Sequence, residues 1–175
     1  MLKKLLSFSE SKNYWLALLV FAFGLELSAL FYQYVLDYLP CVLCIHVRVW
    51  LLGVISVSLL ALAFYKFKIT LSVFHLLMSL LMAGLFERSY QLLGTERGFV
   101  FGDCNMESDL PAWFALDNWF PSVFKVREAC GYTPELLFGI TMAEALIVLS
   151  AFLLIVSITY TLHSVLNLYR TKNSD

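Results

Sequence analysis

Four apolar stretches, each long enough to cross a bilayer as a helix, divide the chain. Crossing takes about 20 residues at 1.5 Å rise each. The first covers roughly 14–33 and is interrupted only by Glu26. The second covers roughly 45–64, with Arg48 near its start. The third, roughly 70–87, ends at Glu87 and Arg88, and the fourth, roughly 137–161, carries Glu144 near its start. Between them lie a short connection at roughly 34–44, a turn at Tyr65–Ile69 and a long loop at roughly 88–136. The pattern predicts an all-α fold: an integral membrane four-helix bundle forming a single membrane domain over residues 1–175. The long loop is densely aromatic from Leu110 to Pro121. Trp113, Leu116 and Phe120 fall at helical spacing with Trp119 beside them, which predicts a short helix lying in the membrane interface. A hydrophobic plug packed on the helix ends is the competing reading of the same stretch.

Composition agrees with the bilayer as solvent. Apolar residues make up 61% of the 175 positions and charged residues 14%, against about 25% charged in an average soluble domain. The formal net charge is −1, and there is no basic patch for nucleic acid. No internal repeat is visible. Lys3, Lys4 and Lys12 precede the first apolar run as in a signal peptide. The run is too long for that, and no small-x-small cleavage site follows before Pro40. It reads as an uncleaved span that also directs insertion.

Lysine and arginine in the connections set the expected orientation. Lys3, Lys4, Lys12, Lys66, Lys68, Arg170 and Lys172 share one side. The other side holds Arg88, Arg97, Lys125 and Arg127, spread over a loop with eight carboxylates between Glu87 and Glu135. Both termini are therefore expected in the cytoplasm. The 34–44 and 88–136 segments face outward, which in a bacterium means the periplasmic side of the inner membrane.

All four cysteines then lie on the outward, oxidising side, where disulfides persist. Cys41 and Cys44 form a C-x-x-C, while Cys104 and Cys130 sit in the long loop. Four cysteines allow three pairings. The closeness of 41 and 44 favours their pairing, leaving 104 with 130. A 104–130 bond alone could be a structural staple that limits loop entropy. A 41–44 bond closes too small a ring to gain much, and C-x-x-C pairs are typical of redox work. A four-cysteine zinc site is the other rival, weakened by the single C-x-x-C knuckle. Pro40 suits the first turn of a helix, so the pair would open the second span, where a helix N-terminus favours thiolate. Arg48 lies at i+4 from Cys44, one turn away on the same face. Its guanidinium would stabilise a thiolate and offer donors to a quinone carbonyl. Glu26 and Arg48 lie at similar depth, about 10 Å, on antiparallel neighbours, so a Glu26–Arg48 contact, direct or through water, is expected. Glu144 reads as interfacial. His46, His75 and His163 have no metal-ligand spacing, so each reads as a packing or interface residue and no metal site is expected.

The run Leu39-Pro40-Cys41-Val42-Leu43-Cys44-Ile45-His46-Val47-Arg48, four spans, and a second cysteine pair in the second outer loop resemble the DsbB family of bacterial disulfide bond formation proteins. Gly24-Leu25-Glu26-Leu27 and the Phe-Gly-Asp-Cys-Asn run ending at Asn105 fit it too. The resemblance covers nearly the whole chain. It implies a DsbA-like periplasmic thiol oxidase as partner and a membrane quinone, ubiquinone or menaquinone, as electron acceptor. Under it, the partner attacks the 104–130 disulfide at Cys104, and freed Cys130 attacks Cys41. Cys44 is left as a thiolate that passes electrons to the quinone, while Arg48 and Glu26 belong to the quinone site. Two other readings are a vitamin-K-epoxide-reductase-like redox protein and a non-enzymatic scaffold with stapled loops. The first usually places its C-x-x-C late in the chain, and the second leaves Arg48 without purpose.

Overall fold

A computed structural model describes residues 11–100, 110–136 and 139–172. Four long helices carry it: α1 Lys12–Tyr34, α2 Val42–Phe64, α3 Lys68–Arg97 and α6 Met142–Lys172. All four are long and apolar enough to cross a membrane, and the protein is a multi-pass, all-α membrane protein. Among the described residues there is no strand, only an isolated bridge between Glu135 and Thr141.

α3 lies at the centre of the arrangement. It packs most extensively on α6 and also on α2, while α2 packs on α1. The core between them is built from Trp15, Ala22, Val47, Val54, Met78 and Met82, among others. Gly84 allows close approach of α2 to α3: a Cβ there would lie 2.5 Å from Cη2 of Trp50. Hydroxyl pairs join α3 to α6, Ser72 Oγ to Ser164 Oγ at 2.6 Å and Ser79 Oγ to Thr161 Oγ1 at 2.7 Å. Small polar residues that bond across a helix interface are common glue where lipid removes the hydrophobic drive. His75 is buried against the rings of Tyr14 and Trp15, with centroids 5.7 and 4.8 Å away, as a packing residue. Tyr14 also meets Tyr160 edge-on, so α1 and α6 touch at this end of the bundle.

At the other end, the helices depart from the limits of the apolar stretches. α3 runs on ten residues beyond 87, to Arg97. Its extra turns are polar, and side-chain pairs support them: Arg88 Nη1 donates to Gln91 Oε1, and Gln91 Nε2 to Glu87 Oε1. Gly98 then ends the helix in the left-handed conformation, at φ 74. α6 starts at Met142 rather than near 137. Thr141 and Glu144 form a capping box: Glu144 Oε2 accepts from Thr141 N, and Thr141 Oγ1 accepts from Glu144 N. Glu144 also pairs with Arg97, tying α6 to the end of α3.

The aromatic stretch does not form one helix. It makes a 3-10 turn Ala112–Phe114 and two single-turn helices, α4 Leu116–Trp119 and α5 Pro121–Phe124. Phe120 sits between the last two at φ −131 and ψ 66, because a residue preceding proline is driven out of the helical region. The expected shared face of Trp113, Leu116 and Phe120 is therefore broken. Leu116 and Phe124 are buried against the ends of α2 and α3, whereas Trp113, Trp119 and Phe120 are exposed.

Candidate functional site

The site is built on the first two turns of α2. Cys41 is its N-cap, with extended backbone (φ −83, ψ 168), and its Sγ accepts from Cys44 N at 3.3 Å. Pro40 thus precedes the cap and does not enter the first turn. Cys41 is buried, Cys44 half-buried one turn in, and Arg48 buried on the next turn.

Cys130 arrives from the long loop. Arg127 N donates to Pro40 O at 3.0 Å, which lays the loop along the entry to α2. Leu116, Phe124 and Val126 bury themselves in a cluster with Cys41, Val42 and Ile45, and Cys130 packs against it. The Cys41 side chain is hydrogen-bonded to Cys130 and to Cys44. The Cys130 bond, then the Cys44 bond, then burial hold the Cys41 thiol far above its ordinary range. Cys41 and Cys44 are free thiols here, not joined to each other. Cys41 lies between the other two sulfurs. Cys104 lies outside the described residues. Among those residues no group of His, Cys, Asp and Glu could hold a metal ion.

The direct hydrogen bonds of Arg48 go to partners other than Glu26. Its Nη1 donates to Gln33 Oε1 at 2.6 Å and to Val123 O at 2.9 Å. The only ion pair among the described residues is Arg97–Glu144, so Glu26 and Arg48 feel each other's charge without a direct contact. Helix geometry explains the difference. Side chains tilt toward the N-terminus of their helix. α2 begins at the cysteine end, so Arg48 reaches toward that end. α1 runs the other way, so Glu26 leans away from it. Gln33, two turns after Glu26 on the same face of α1, meets the guanidinium instead. Glu26 stays buried, and its Oε2 has no hydrogen-bond partner among the described residues. The sequence alone does not single out Gln33 as a partner of Arg48. The available signal was a polar residue seven positions after Glu26, on the same stripe of an apolar helix.

Cys44 and Arg48 both open onto a cavity of about 350 Å³. Leu25, Ala29 and Tyr32 of α1 and Leu146 and Leu149 of α6 supply much of its wall. It occupies the gap between α1 and α6, which touch at Tyr14 and Tyr160 and lack comparable packing elsewhere. The segment after Cys130 contributes Pro134 and Leu136. Glu26 does not line it.

A C-x-x-C on a helix tip, a third cysteine delivered by a loop, and a buried arginine beside an apolar cavity form one arrangement. The family model for disulfide bond formation protein DsbB matches residues 11–160. The chain belongs to the DsbB family. Among its relatives, disulfide bond formation protein B of Shewanella loihica is 34% identical over 142 residues, covering 81% of this chain and 83% of the relative. The namesake proteins of Shewanella denitrificans and Shewanella frigidimarina are each 33% identical, covering 82% of this chain and 82% and 85% of their own. As a DsbB-family member the protein is a membrane protein of disulfide bond formation.

Proposed function

We propose that the protein reoxidises a DsbA-like periplasmic dithiol oxidase and passes the electron pair to a membrane quinone. The observation that carries this reading is the succession Cys130, Cys41, Cys44 and Arg48, ending at the cavity wall. The distribution of lysine and arginine supports an inner-membrane orientation with the cysteines in the periplasm and both termini in the cytoplasm.

The residues at the cavity suit a quinone. Its volume lies within the range of small-molecule sites, and its walls are largely apolar, as an isoprenoid-tailed ring requires. Arg48 commits Nη1 to Gln33 and Val123. Its Nε and Nη2 donors make no hydrogen bond among the described residues and are available for a carbonyl oxygen. A quinone held there by Arg48, beside Cys44, would supply a two-electron, two-proton acceptor.

The chain's own steps are thiol–disulfide exchanges. A thiolate of the reduced partner attacks Cys104 of the 104–130 disulfide, and Cys130 leaves as thiolate. Cys130 attacks Cys41 of the 41–44 disulfide; the Cys41–Cys130 bond forms, the Cys41–Cys44 bond breaks, and Cys44 is released as thiolate. The partner's second thiol resolves the mixed disulfide, leaving oxidised partner and Cys104 thiol. Cys104 then attacks Cys130; the 104–130 bond forms, the Cys41–Cys130 bond breaks and Cys41 is released as thiolate, so that Cys41 and Cys44 end as a disulfide once their electron pair has passed to the acceptor. Overall the partner loses two electrons and two protons, and one disulfide is made. A DsbA-type oxidase is itself strongly oxidising, near about −120 mV, so a still stronger acceptor is needed to complete the cycle.

The test is quinone-coupled turnover of reduced partner by the purified protein. Quinol and oxidised partner should appear one for one. An Arg48→His variant should need about tenfold more quinone for half-maximal rate, while the first attack on Cys104 proceeds at the parent rate. Equal slowing of both steps would contradict the placement of Arg48.

A further inference from the structure

The last turn of α1 grips the loop that carries Cys130. Gln33 Nε2 donates to Ser122 O at 2.8 Å, and Tyr34 OH donates to the same carbonyl at 2.6 Å. Gln33 Oε1 accepts from Arg48 Nη1, which also donates to Val123 O. Gln33 is 7% exposed, and both ends of its amide are used. Arg48 can only donate and a carbonyl can only accept, so the amide has one workable orientation. One buried side chain therefore touches both the cation at the cavity and the loop of the third cysteine.

The loop's other anchors are mostly non-directional. Leu116, Phe124 and Val126 are held by burial, which fixes depth better than register. Hydrogen bonds fix register, because they weaken steeply off-angle. From Ser122 the chain has eight residues to reach Cys130, with Arg127 N bonded to Pro40 O on the way. A hold of this kind must also be reversible, since Cys130 exchanges between Cys104 and Cys41. Bonds with a modest net contribution each meet that need.

We propose that Gln33 is a positioning residue for the disulfide relay: through Ser122 it holds the loop so that Cys130 meets Cys41, and through Arg48 it fixes the cation at the cavity. The inference rests on the relay set out above. Gln33 touches none of the reacting atoms and acts through the loop and Arg48.

The experiment uses the full chain with Cys44→Ser and Cys104→Ser, leaving only Cys41 and Cys130. It is equilibrated in glutathione buffers of graded ratio. The two thiols and one oxidised glutathione give the Cys41–Cys130 bond and two reduced glutathiones. Alkylation and mass spectrometry give the equilibrium constant. Gln33→Met should lower it about tenfold, equivalent to about 30 mV for a two-electron couple. Gln33→Glu keeps an acceptor for Arg48 but sets oxygen against Ser122 O, and should lower it similarly. Tyr34→Phe, on an exposed ring, should lower it about threefold and reports on the latch even if the Gln33 variants fail to fold. Parent values in the folded variants overturn the latch alone. A parent that forms no Cys41–Cys130 bond at any ratio overturns the relay, and the latch with it.

Discussion

Arg48 and Glu26 show how much direction matters for a charged residue inside a helical bundle. Both sit at comparable depth on neighbouring antiparallel helices, and depth alone suggests that they pair. The tilt of side chains toward each helix's own N-terminus aims the two at different levels of the bundle. Arg48 then finds an amide and a carbonyl, and Glu26 remains buried with one oxygen lacking a hydrogen-bond partner among the described residues. This difference should appear in stability. Arg48→Met strands Gln33 Oε1 and Val123 O, and should cost about 2–4 kcal/mol. Glu26→Gln removes no contact of that kind, and should change stability by less than about 1 kcal/mol. Thermal unfolding in detergent micelles measures both, and an equal loss would restore a Glu26–Arg48 pair. Cys41, Cys44 and Arg48 were legible from i+3 and i+4 spacing alone. Gln33 was not, because its role depends on the direction of a neighbour's side chain.

At the scale of elements, hydropathy located four helices but not their ends. It reports where residues prefer apolar surroundings, which is a different property from where the backbone is helical. The polar turns from Glu87 to Arg97 read as loop, yet side-chain pairs and a left-handed Gly98 make them the end of α3. Apolar residues from Leu137 onward suggest an early start to the last helix, but the cap lies at Thr141. The Thr141-x-x-Glu144 box was present in the sequence and gives Glu144 a structural task. Thr141→Ala should destabilise the protein by about 1 kcal/mol, read as a lower unfolding midpoint. No shift would mean that the Arg97–Glu144 pair alone sets the start of α6. The aromatic loop was legible as a membrane-facing or plugging segment. Pro121 then splits it, so it plugs with Leu116 and Phe124 and exposes Trp113 and Trp119.

For the whole molecule, the packing order sets the location of the cavity. α2 and α3 are flanked on both sides, whereas α1 and α6 are joined at Tyr14 and Tyr160 and leave a gap near the cysteines. An apolar space next to the C-x-x-C pair results without any helix being broken. The family, the four spans and the C-x-x-C-x-x-x-R run were legible in the sequence. The approach of Cys130 to Cys41 was not legible from spacing, because the loop is brought in by burial and by bonds to Pro40, Gln33 and Tyr34.

The central claim is that Cys44 meets a bound quinone beside Arg48. A Cys41→Ser variant leaves Cys44 without its C-x-x-C partner, and ubiquinone can be titrated into it while visible absorption is recorded. A new visible band is expected from contact between the Cys44 thiolate and the ring, absent when Cys44→Ser is added. A spectrum that stays flat while equilibrium dialysis shows the quinone bound, or a band that survives loss of Cys44, would contradict it.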